Sequence, residues 1–418
     1  MMRVLLSAYQ CAPGAGSVSQ IGWEWYSRLA REAKVTLVTH IRNRPALESA
    51  GAPFANTEII YIDTEWFAGK LYSLARRIFP RSEHSVFLLS SLDFFVYDRQ
   101  VLRTVRHRHA EWDVAHVVTP VSPSAFTVLT KLPIPVVRGP LNGGLQTPAG
   151  FPEFMRADSA WVYKARELGR PLRALFAPRR APDVTLTANA ATEGQLTRRE
   201  QSSTRRMQEI AADPSLFEPA AWPQNPDDAH PLRVLFVGRL IPAKALPLLF
   251  EALRRIRGKK PVELSVVGDG PMREEWQKAA ADIPDCVRFV GAQPADRVAE
   301  AMKWSHVLCL PCVRESGGAV LFEAMSSGRP VIAVDHGGPA GIVTGETGRL
   351  VPATGPEAVI RGIENALLDM FENPEEWRRR GSNARRHVMQ SHTWESRVQE
   401  GLAVYRSLVP PTAWKNAA

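Results

Sequence analysis

The sequence predicts an α/β protein built from two Rossmann-like, doubly wound domains of similar size. Two stretches alternate short apolar runs of strand type with amphipathic helical patterns, which is typical of parallel α/β units. Five prolines within residues 213–231 separate these stretches, and neither a helix nor a strand continues through them. Open α/β sheets bind ligands beyond the carboxyl ends of their strands, so we expect an active site where the domains face each other across a cleft.

Twelve apolar runs are predicted as strands. The first domain has them at residues 3–8, 34–39, 57–62, 113–119, 134–138 and 183–188. The second domain has them at residues 232–238, 262–268, 286–291, 306–311, 329–334 and 348–352. We therefore place the first domain at 1–212, a proline-rich linker at 213–231 and the second domain at 232–393. The final helical pattern, in 394–418, is expected to pack back on the first domain.

The composition excludes several classes of protein. With 45% hydrophobic and 23% charged residues, the 418-residue chain is neither disordered nor collagen-like. No apolar stretch reaches the roughly 18 residues of a membrane-spanning helix, and the N-terminal run is too short for a signal peptide, so we expect a cytoplasmic protein. The four cysteines are too few for a disulfide framework, and we interpret Cys309 and Cys312 as core residues rather than a zinc or redox pair.

The net charge of +9 is concentrated in the first half of the chain. Residues 1–210 hold 27 lysines and arginines against 18 acidic residues, whereas residues 211–418 hold 25 of each. This imbalance favours an anionic partner for the first domain, such as a membrane surface or a lipid-linked substrate, with a merely soluble basic surface as the alternative. The basic segments are 99–108, 164–180 and 198–206, and the second could rest on anionic lipid. We predict no nucleic-acid binding, because no recognised module accompanies the charge.

The most informative motif lies in residues 314–342 and begins RESGGAVLFEAMSSG. Gly317 and Gly318 let a phosphate approach the backbone closely, and the free amides at the start of the helix that follows favour negative charge. We interpret this segment as a cradle for a diphosphate. Glu315 precedes the cradle and Glu323 lies within the helix, where both can accept hydrogen bonds from hydroxyl groups of a sugar and a ribose.

Two further motifs suit an anionic ligand. In VGRLIPAK, residues 237–244, Arg239 and Lys244 can hold a leaving diphosphate by charge-assisted hydrogen bonds, without a metal. A glycine-containing loop with Gly14 and Gly16 follows the first strand, and an ordinary tight turn is the alternative interpretation there.

Taken together, these motifs resemble the signature of the family-4 retaining glycosyltransferases (glycosyl transferase group 1 type), which have the GT-B architecture. The E-x7-E and G-R-L-x-x-x-K patterns carry the resemblance, which extends over nearly the whole chain. It implies that Glu315 contacts the donor sugar, that Glu323 contacts the ribose and that the backbone amides near residues 317–320 bind the diphosphate. It also implies that Arg239 and Lys244 replace a metal, so that neither a metal nor another cofactor is required. The family's usual glycine after the lysine is Ala245 here.

The first domain holds the remaining candidates. His116 lies in the strand 113–119, where it either points into the cleft or is a satisfied core residue. The family often has a second histidine two positions later, where this sequence has Val118. The turn RGPLNGG resembles a glycine-rich turn of these enzymes, so Asn142 and Gly143 are candidates for contact with an acceptor, with a purely conformational turn as the alternative.

The predicted function is that of a retaining hexosyltransferase. It would move a sugar from a UDP- or GDP-linked donor to a hydroxyl of a saccharide or lipid-linked saccharide, in polysaccharide or cell-envelope glycan synthesis. The alternatives are an epimerase or a phosphorylase on the same fold, or a non-catalytic protein that binds a nucleotide-sugar or glycan. Peripheral contact with the inner face of the cytoplasmic membrane is part of the prediction. The predicted catalytic residues are Arg239, Lys244, Glu315 and His116. The predicted donor contacts are Gly14, Gly16, Gly238, Arg239, Lys244, Gly268, Glu315, Ser316, Gly317, Gly318, Ala319, Val320 and Glu323.

Overall fold

The computed structural model describes residues 1–14, 16–78, 92–152 and 178–410. These residues divide into two compact units. Unit 1 takes its described residues from 1–144, 178–209 and 397–410, and unit 2 takes them from 145–152 and 210–396.

Unit 1 is built on a parallel sheet. Its strands are β1 (Arg3–Ala8), β2 (Lys34–His40), β3 (Thr57–Ile62), β4 (Val114–Thr119), β5 (Val136–Leu141), β6 (Val184–Thr187) and β7 (Thr204–Arg206). The order across the sheet is β3-β2-β1-β4-β5-β6-β7. Strands β2 and β3 lie on one side of β1 and strands β4 to β7 lie on the other, so the strand order reverses between β1 and β4. Val4, Leu5 and Leu6 of β1 are completely buried, as expected for a central parallel strand. The helices are α1 (Ser17–Glu32), α2 (Arg44–Ser49), α3 (Glu65–Ile78), α4 (Asp93–Val105), α5 (Ala190–Glu193) and α6 (Arg198–Gln201).

Unit 2 repeats this plan. Its strands are β8 (Leu232–Val237), β9 (Val262–Val267), β10 (Val287–Gly291), β11 (Val307–Leu310), β12 (Val331–Val334) and β13 (Gly348–Val351). The strand order is β10-β9-β8-β11-β12-β13, and all neighbouring strands are parallel. The strand order reverses between β8 and β11. The helices are α7 (Leu246–Ile256), α8 (Arg273–Ala279), α9 (Ala295–Trp304), α10 (Ala319–Ser326), α11 (Gly338–Ile342), α12 (Pro356–Glu372) and α13 (Pro374–Ser391). A last helix, α14 (Trp394–Leu408), follows them.

The structure contains all twelve predicted strands, and the prediction of two doubly wound parallel α/β domains is confirmed. The largest difference in bounds is at β5, which ends at Leu141 rather than at residue 138. The sequence analysis missed β7, whose three residues, Thr-Arg-Arg, are half-buried or exposed at the edge of the sheet. So short and polar a strand has no hydrophobic pattern that periodicity can detect.

The predicted linker, 213–231, is part of unit 2 in the structure. Nη2 of Arg329 donates to the carbonyl of Ala221 at 2.9 Å, and Nε2 of His306 is 2.8 Å from the carbonyl of Gln224. Phe217 is buried in the core of the unit. The prolines prevent regular structure, but side chains of unit 2 bind the exposed carbonyl groups of this segment and thereby fix it to the unit.

Residues 145–152 also belong to unit 2, although the sequence analysis placed them in the first domain. Phe151 is fully buried in the unit 2 core, and Nε2 of His336 is 2.8 Å from the carbonyl of Gln146. The chain crosses between the units within the glycine- and proline-rich segment 139–152, which the sequence analysis did not interpret as a crossing. In unit 1, the end of α14 packs against α1, because Gly401 lies directly against the Trp25 ring.

Candidate functional site

Loops of unit 2 that follow adjacent strands form the candidate site. They follow β8, β9, β11 and β12 and cover residues 238–244, 268–272, 311–318 and 335–338. Because these strands are parallel, the loops lie at one edge of the sheet, on both sides of the point where the strand order reverses. The topology therefore brings together segments that are up to about a hundred residues apart in the sequence.

Two glycines allow the first two loops to touch. Gly268 has φ +140°, and a Cβ atom there would lie 1.9 Å from the carbonyl oxygen of Gly238. The Gly238 amide donates to the Val267 carbonyl at 3.0 Å, and the Gly268 amide donates to the Gly291 carbonyl at 2.8 Å. A Cβ at Gly238 would meet Cε of Lys244 at 3.4 Å, so the lysine side chain passes over this glycine.

Replacing Gly268 by alanine is therefore expected to lower the free energy of unfolding by about 3 kcal/mol, because the added methyl group overlaps a carbonyl oxygen that cannot move alone. Chemical denaturation of the purified variant measures this change. Gly345→Ala is the matched control, because a Cβ at Gly345 meets no atom within 4 Å. Equal stability of the two variants would contradict the close contact.

Lys244 and Glu315 form an ion pair between Nζ and Oε2. The two side chains are 15% and 16% exposed, and Oε1 of Glu315 also accepts the Gly318 amide at 3.1 Å. Burial acts to lower the pKa of Lys244, but Cys312 and the Glu315 carboxylate outweigh it and hold that pKa above its ordinary value. The pair joins the loop after β8 to the loop that precedes α10, so a lysine and a glutamate predicted separately act as one unit.

The backbone conformation of the residue after Lys244 explains why the family usually has a glycine there. Ala245 adopts φ +47° and ψ +35°, in the left-handed region that normally favours glycine. The family's usual glycine at this position thus has a conformational reason, and this chain accommodates an alanine in the same conformation.

The segment predicted as a diphosphate cradle lies at the start of α10. Gly318 has φ +75° and precedes the helix, whose first residue, Ala319, is exposed, while Val320 is half-buried. Gly317 and Gly318 themselves are buried, and Ser316 is half-buried. The accessible part of the cradle is therefore the first turn of the helix, where amide groups favour an anion.

A third loop supports this cradle, and the sequence analysis did not assign it a role. The Gly338 amide donates to the Glu315 carbonyl at 2.8 Å. Gly337 has φ +66°, and a Cβ there would lie 2.3 Å from the same carbonyl oxygen. The dipeptide Gly337-Gly338 in HGGP was the available signal, since consecutive glycines often mark a close approach of two backbones.

The other two charged candidates are unpaired. Glu323 is the fifth residue of α10 and is half-buried, and burial raises the pKa of its carboxyl group to about 7. Arg239 directly follows Gly238 and is exposed. Within the described ranges, neither side chain has a hydrogen-bond or ion-pair partner. Neither side chain has to give up such a partner to bind a ligand, whereas Lys244 and Glu315 already bind each other.

Gly14 and Gly16 lie in unit 1, in the loop between β1 and α1. They have φ +70° and +93°, both are exposed, and a Cβ at either position would meet no atom within 4 Å. The Gly14 amide donates to Oε1 of Gln20 at 2.9 Å. The positive φ values alone explain why glycine is favoured here.

The structure corrects the expectation that the His116 side chain is accessible. The ring is completely buried, with Nε2 2.6 Å from the Gly139 carbonyl and Nδ1 2.5 Å from the Tyr405 hydroxyl. It also contacts the edge of Trp25, at 4.9 Å between ring centroids. Burial lowers the pKa of His116 to about 4, so the ring is neutral at pH 7. His116 is the third residue of β4 rather than its last, which is why its side chain faces the core.

Asn142 and Gly143 are held by contacts within unit 1. The Asn142 side chain bonds to Glu209 and accepts from Nδ2 of Asn189 at 3.3 Å. The Gly143 amide donates to Oγ1 of Thr192 at 3.1 Å. These contacts fit the alternative of a conformational turn. Both residues are half-buried, so an acceptor contact stays a prediction.

The prediction that Cys309 and Cys312 lie in the core is confirmed. Cys309 and Cys312 are buried, and neither forms a disulfide. Burial raises the pKa of Cys312 to about 12, and its thiol donates to the Ala243 carbonyl at 3.1 Å. In the parts of the chain that the structure describes, no helix combines the length and apolarity that a membrane crossing needs.

Residues 231–369 match the family model described as Glycosyl transferases group 1. The D-inositol 3-phosphate glycosyltransferase of Streptomyces coelicolor is 35% identical over 198 residues, which cover 44% of this chain and 42% of that protein. A GDP-mannose-dependent alpha-(1-6)-phosphatidylinositol monomannoside mannosyltransferase of Mycolicibacterium smegmatis is 30% identical over 175 residues, or 39% of this chain and 45% of that protein. The matches thus span less than half the length of these curated relatives.

A solved structure extends the similarity to the fold of the whole chain. Anabaena HepE, crystallised with UDP and glucose, matches 98% of this chain and 100% of its own, with a TM-score of 0.59 and 17% identity. At this identity the match concerns the fold alone. The predicted resemblance is confirmed: residues 231–369 match the family model of the group 1 glycosyl transferases, and the chain has the fold of the GT-B glycosyltransferases.

Proposed function

We propose that this protein transfers a sugar from a nucleotide-sugar to a hydroxyl group of a saccharide or lipid-linked saccharide, with retention at the anomeric carbon. The observation that carries the proposal is the grouping at one edge of the unit 2 sheet. The Lys244–Glu315 pair and Arg239 lie in loops that follow adjacent strands, and α10, with its first turn and Glu323, follows directly on one of these loops. This is the set of groups that a donor with a diphosphate, a sugar and a ribose would need.

Charge stabilisation is the main contribution of these residues to the reaction. The diphosphate would lie at the first turn of α10, where the amides of Ala319 and Val320 and the helix dipole favour anions. Lys244 and Arg239 would bind the leaving phosphate as negative charge develops on it. Two cations at this position would supply the positive charge that a metal ion supplies in other enzymes, so we propose a metal-independent reaction.

The bond changes follow from this arrangement. The bond between the anomeric carbon and the diphosphate oxygen breaks, and the acceptor oxygen bonds to the same carbon from the same face. The leaving phosphate oxygen takes the proton of the acceptor hydroxyl. No protein carboxylate has to act as a nucleophile, which agrees with the engagement of Glu315 by Lys244 and Gly318.

The names of the relatives support the choice of donor and acceptor. One relative is named for GDP-mannose and an HepE structure contains UDP, so we propose a UDP- or GDP-sugar as the donor. The named acceptors of two relatives are an inositol phosphate and a phosphatidylinositol mannoside. We propose a saccharide or lipid-linked acceptor on unit 1, in polysaccharide or cell-envelope glycan synthesis.

An anionic membrane surface is the proposed partner of unit 1, at the inner face of the cytoplasmic membrane. The support is the positive charge of the first half of the chain. The segment 164–180 was the basic segment predicted to rest on anionic lipid, and most of it lies outside the described residues. In the segment 99–108, Arg108 is paired with Glu58 and Glu111 and so is already neutralised.

Thermal unfolding with a panel of UDP-, GDP- and ADP-sugars tests the donor site. A ligand at about 100 times its dissociation constant stabilises by roughly 2.7 kcal/mol, so we expect a clear rise in Tm with one base and none with the others. Glu323→Ala should weaken that donor about tenfold or more, because the ribose loses a charge-assisted hydrogen bond. Glu263→Ala, which removes an exposed carboxylate from β9, should bind as the wild type does.

Two results would count against the proposal. If no nucleotide-sugar raises Tm while the wild type and Glu323→Ala behave alike, the donor site is elsewhere. If a donor binds and is converted to a new nucleotide-sugar without an acceptor, the protein is an epimerase.

A further inference from the structure

Helix α3 has the reverse of the usual distribution of apolar side chains. Its most buried residues are Ala68 and Ala75, at 3% and 0% exposure. Trp66, Leu74 and Ile78 are 64%, 50% and 52% exposed. A helix that packs only on its own protein buries its largest apolar side chains. Packing within unit 1 therefore explains the alanines of α3 and its half-buried Phe67 and Leu71, but it leaves the exposure of Trp66, Leu74 and Ile78 unexplained.

These side chains form a patch rather than isolated exceptions. In the described part of the chain, eight large hydrophobic residues are strongly exposed, and four of them, including Tyr72, belong to α3. At about 100° per residue, Trp66, Leu74 and Ile78 fall within an arc of about 120°, and they extend over about 18 Å of the helix. A contiguous exposed apolar surface usually marks an interaction site.

The charges of α3 indicate what the patch binds. Lys70 and Arg77 are exposed, lie within the same arc, and have no ion-pair or hydrogen-bond partner among the described residues. Arg76 is also exposed, and its Nε donates to the Tyr72 hydroxyl at 3.0 Å. The acidic residue of the helix, Glu65, is at its start and is paired with Arg42. The outer surface of α3 is therefore both apolar and cationic.

We propose that α3 lies in the interface of an anionic phospholipid membrane. Trp66, Leu74 and Ile78 would enter the region just below the head groups, and Lys70 and Arg77 would bind lipid phosphates. Tryptophan at the end of such a helix suits this depth, since its ring is apolar and its N–H is polar. The inference rests on the membrane contact in the proposed function and assigns it to α3, instead of the segment 164–180 that the sequence analysis favoured. It would hold unit 1 at the surface where a lipid-linked acceptor is located.

Vesicle flotation at low ionic strength tests the assignment. Vesicles of equal parts phosphatidylglycerol and phosphatidylcholine should bind the full chain, and vesicles of phosphatidylcholine alone should bind it much more weakly. Trp66→Ser/Leu74→Ser should reduce binding more than about tenfold. Lys70→Ala/Arg77→Ala should reduce it about fivefold for each charge and lower its dependence on salt.

Matched controls distinguish binding through α3 from nonspecific hydrophobic adsorption and from a general effect of charge. Leu216→Ser removes an exposed leucine from unit 2, and Arg205→Ala removes an exposed arginine of unit 1 outside α3. Both should bind vesicles as the wild type does. The Trp66→Phe variant should bind vesicles as the wild type does. Brominated lipids should quench its tryptophan fluorescence less, because the contribution of Trp66 is missing.

Three outcomes would overturn the proposal. The first is vesicle binding that the serine variants leave unchanged, and the second is a lack of binding to anionic vesicles at low salt. The third is a wild type that self-associates in sedimentation and that the serine variants convert to monomers. The last result would make α3 an interface between copies of this chain. The nucleotide-sugar panel, run on the same variants, should give wild-type Tm shifts, so failure of this inference is distinguishable from failure of the donor site.

Discussion

Replacing Lys244 by methionine is expected to lower the rate of sugar transfer by about 10²- to 10³-fold. The methionine fills the same volume but cannot bind the leaving phosphate. It also leaves Glu315, whose side chain is only 16% exposed, without its counter-charge, which should destabilise unit 2 by about 2 kcal/mol. Steady-state kinetics with the donor identified by thermal unfolding, together with chemical denaturation, measure both effects.

The double variant Lys244→Met/Glu315→Gln distinguishes the two roles of the pair. Glutamine keeps an oxygen that can accept the Gly318 amide, but it needs no counter-charge, so stability should return close to that of the wild type. Transfer should stay slow, because the cation is still missing. Recovery of activity together with stability would mean that the pair only holds the two loops together.

Replacing Arg239 by alanine is expected to lower kcat about 100-fold while changing the donor dissociation constant only a few-fold. This side chain is exposed and unpaired within the described residues, so its removal should leave Tm unchanged. Its guanidinium would act mainly on the charge that develops as the glycosidic bond breaks. Single-turnover kinetics and donor titrations separate binding from chemistry.

Arg288→Ala is the control for Arg239→Ala. It removes an exposed arginine from β10 of the same unit, so both variants carry the same charge change. Wild-type kcat in this control would exclude a general electrostatic effect. If Arg239→Ala instead weakened binding and turnover equally, the arginine would contribute to uniform donor binding rather than to stabilisation of the transition state.

Much of the fold was predictable from the sequence because buried parallel strands are short, apolar and separated by helical patterns. Each of the twelve predicted strands has this character, whereas β7 is short and polar at an edge and was missed. The glycine positions of the motifs were predictable for a related reason. Glycines such as Gly268 and Gly318 are required by backbone geometry, so their spacing is visible in the sequence.

Side-chain partners were not predictable in the same way. The sequence presents Lys244 and Glu315 as two separate ligands of a donor, whereas the structure joins them in an ion pair across two loops. The sequence also leaves open whether the His116 side chain is accessible or buried, and only the packing of Trp25 and Tyr405 around the ring shows that it is buried. Residues far apart in the chain provide these partners, and neither composition nor periodicity records them.

The sequence by itself thus determined the two α/β domains, the positions of their strands and the motifs of a glycosyltransferase domain, because local spacing encodes them. Only the tertiary structure decided that residues 145–152 and 213–231 belong to unit 2, and that α3 exposes its large apolar side chains. The helical pattern of α3 is compatible with either orientation of the helix. Its orientation follows from which face the neighbouring elements can cover. In unit 1 that face carries Ala68 and Ala75, with Phe67 and Leu71 half-buried beside them, and it leaves Trp66, Leu74 and Ile78 exposed.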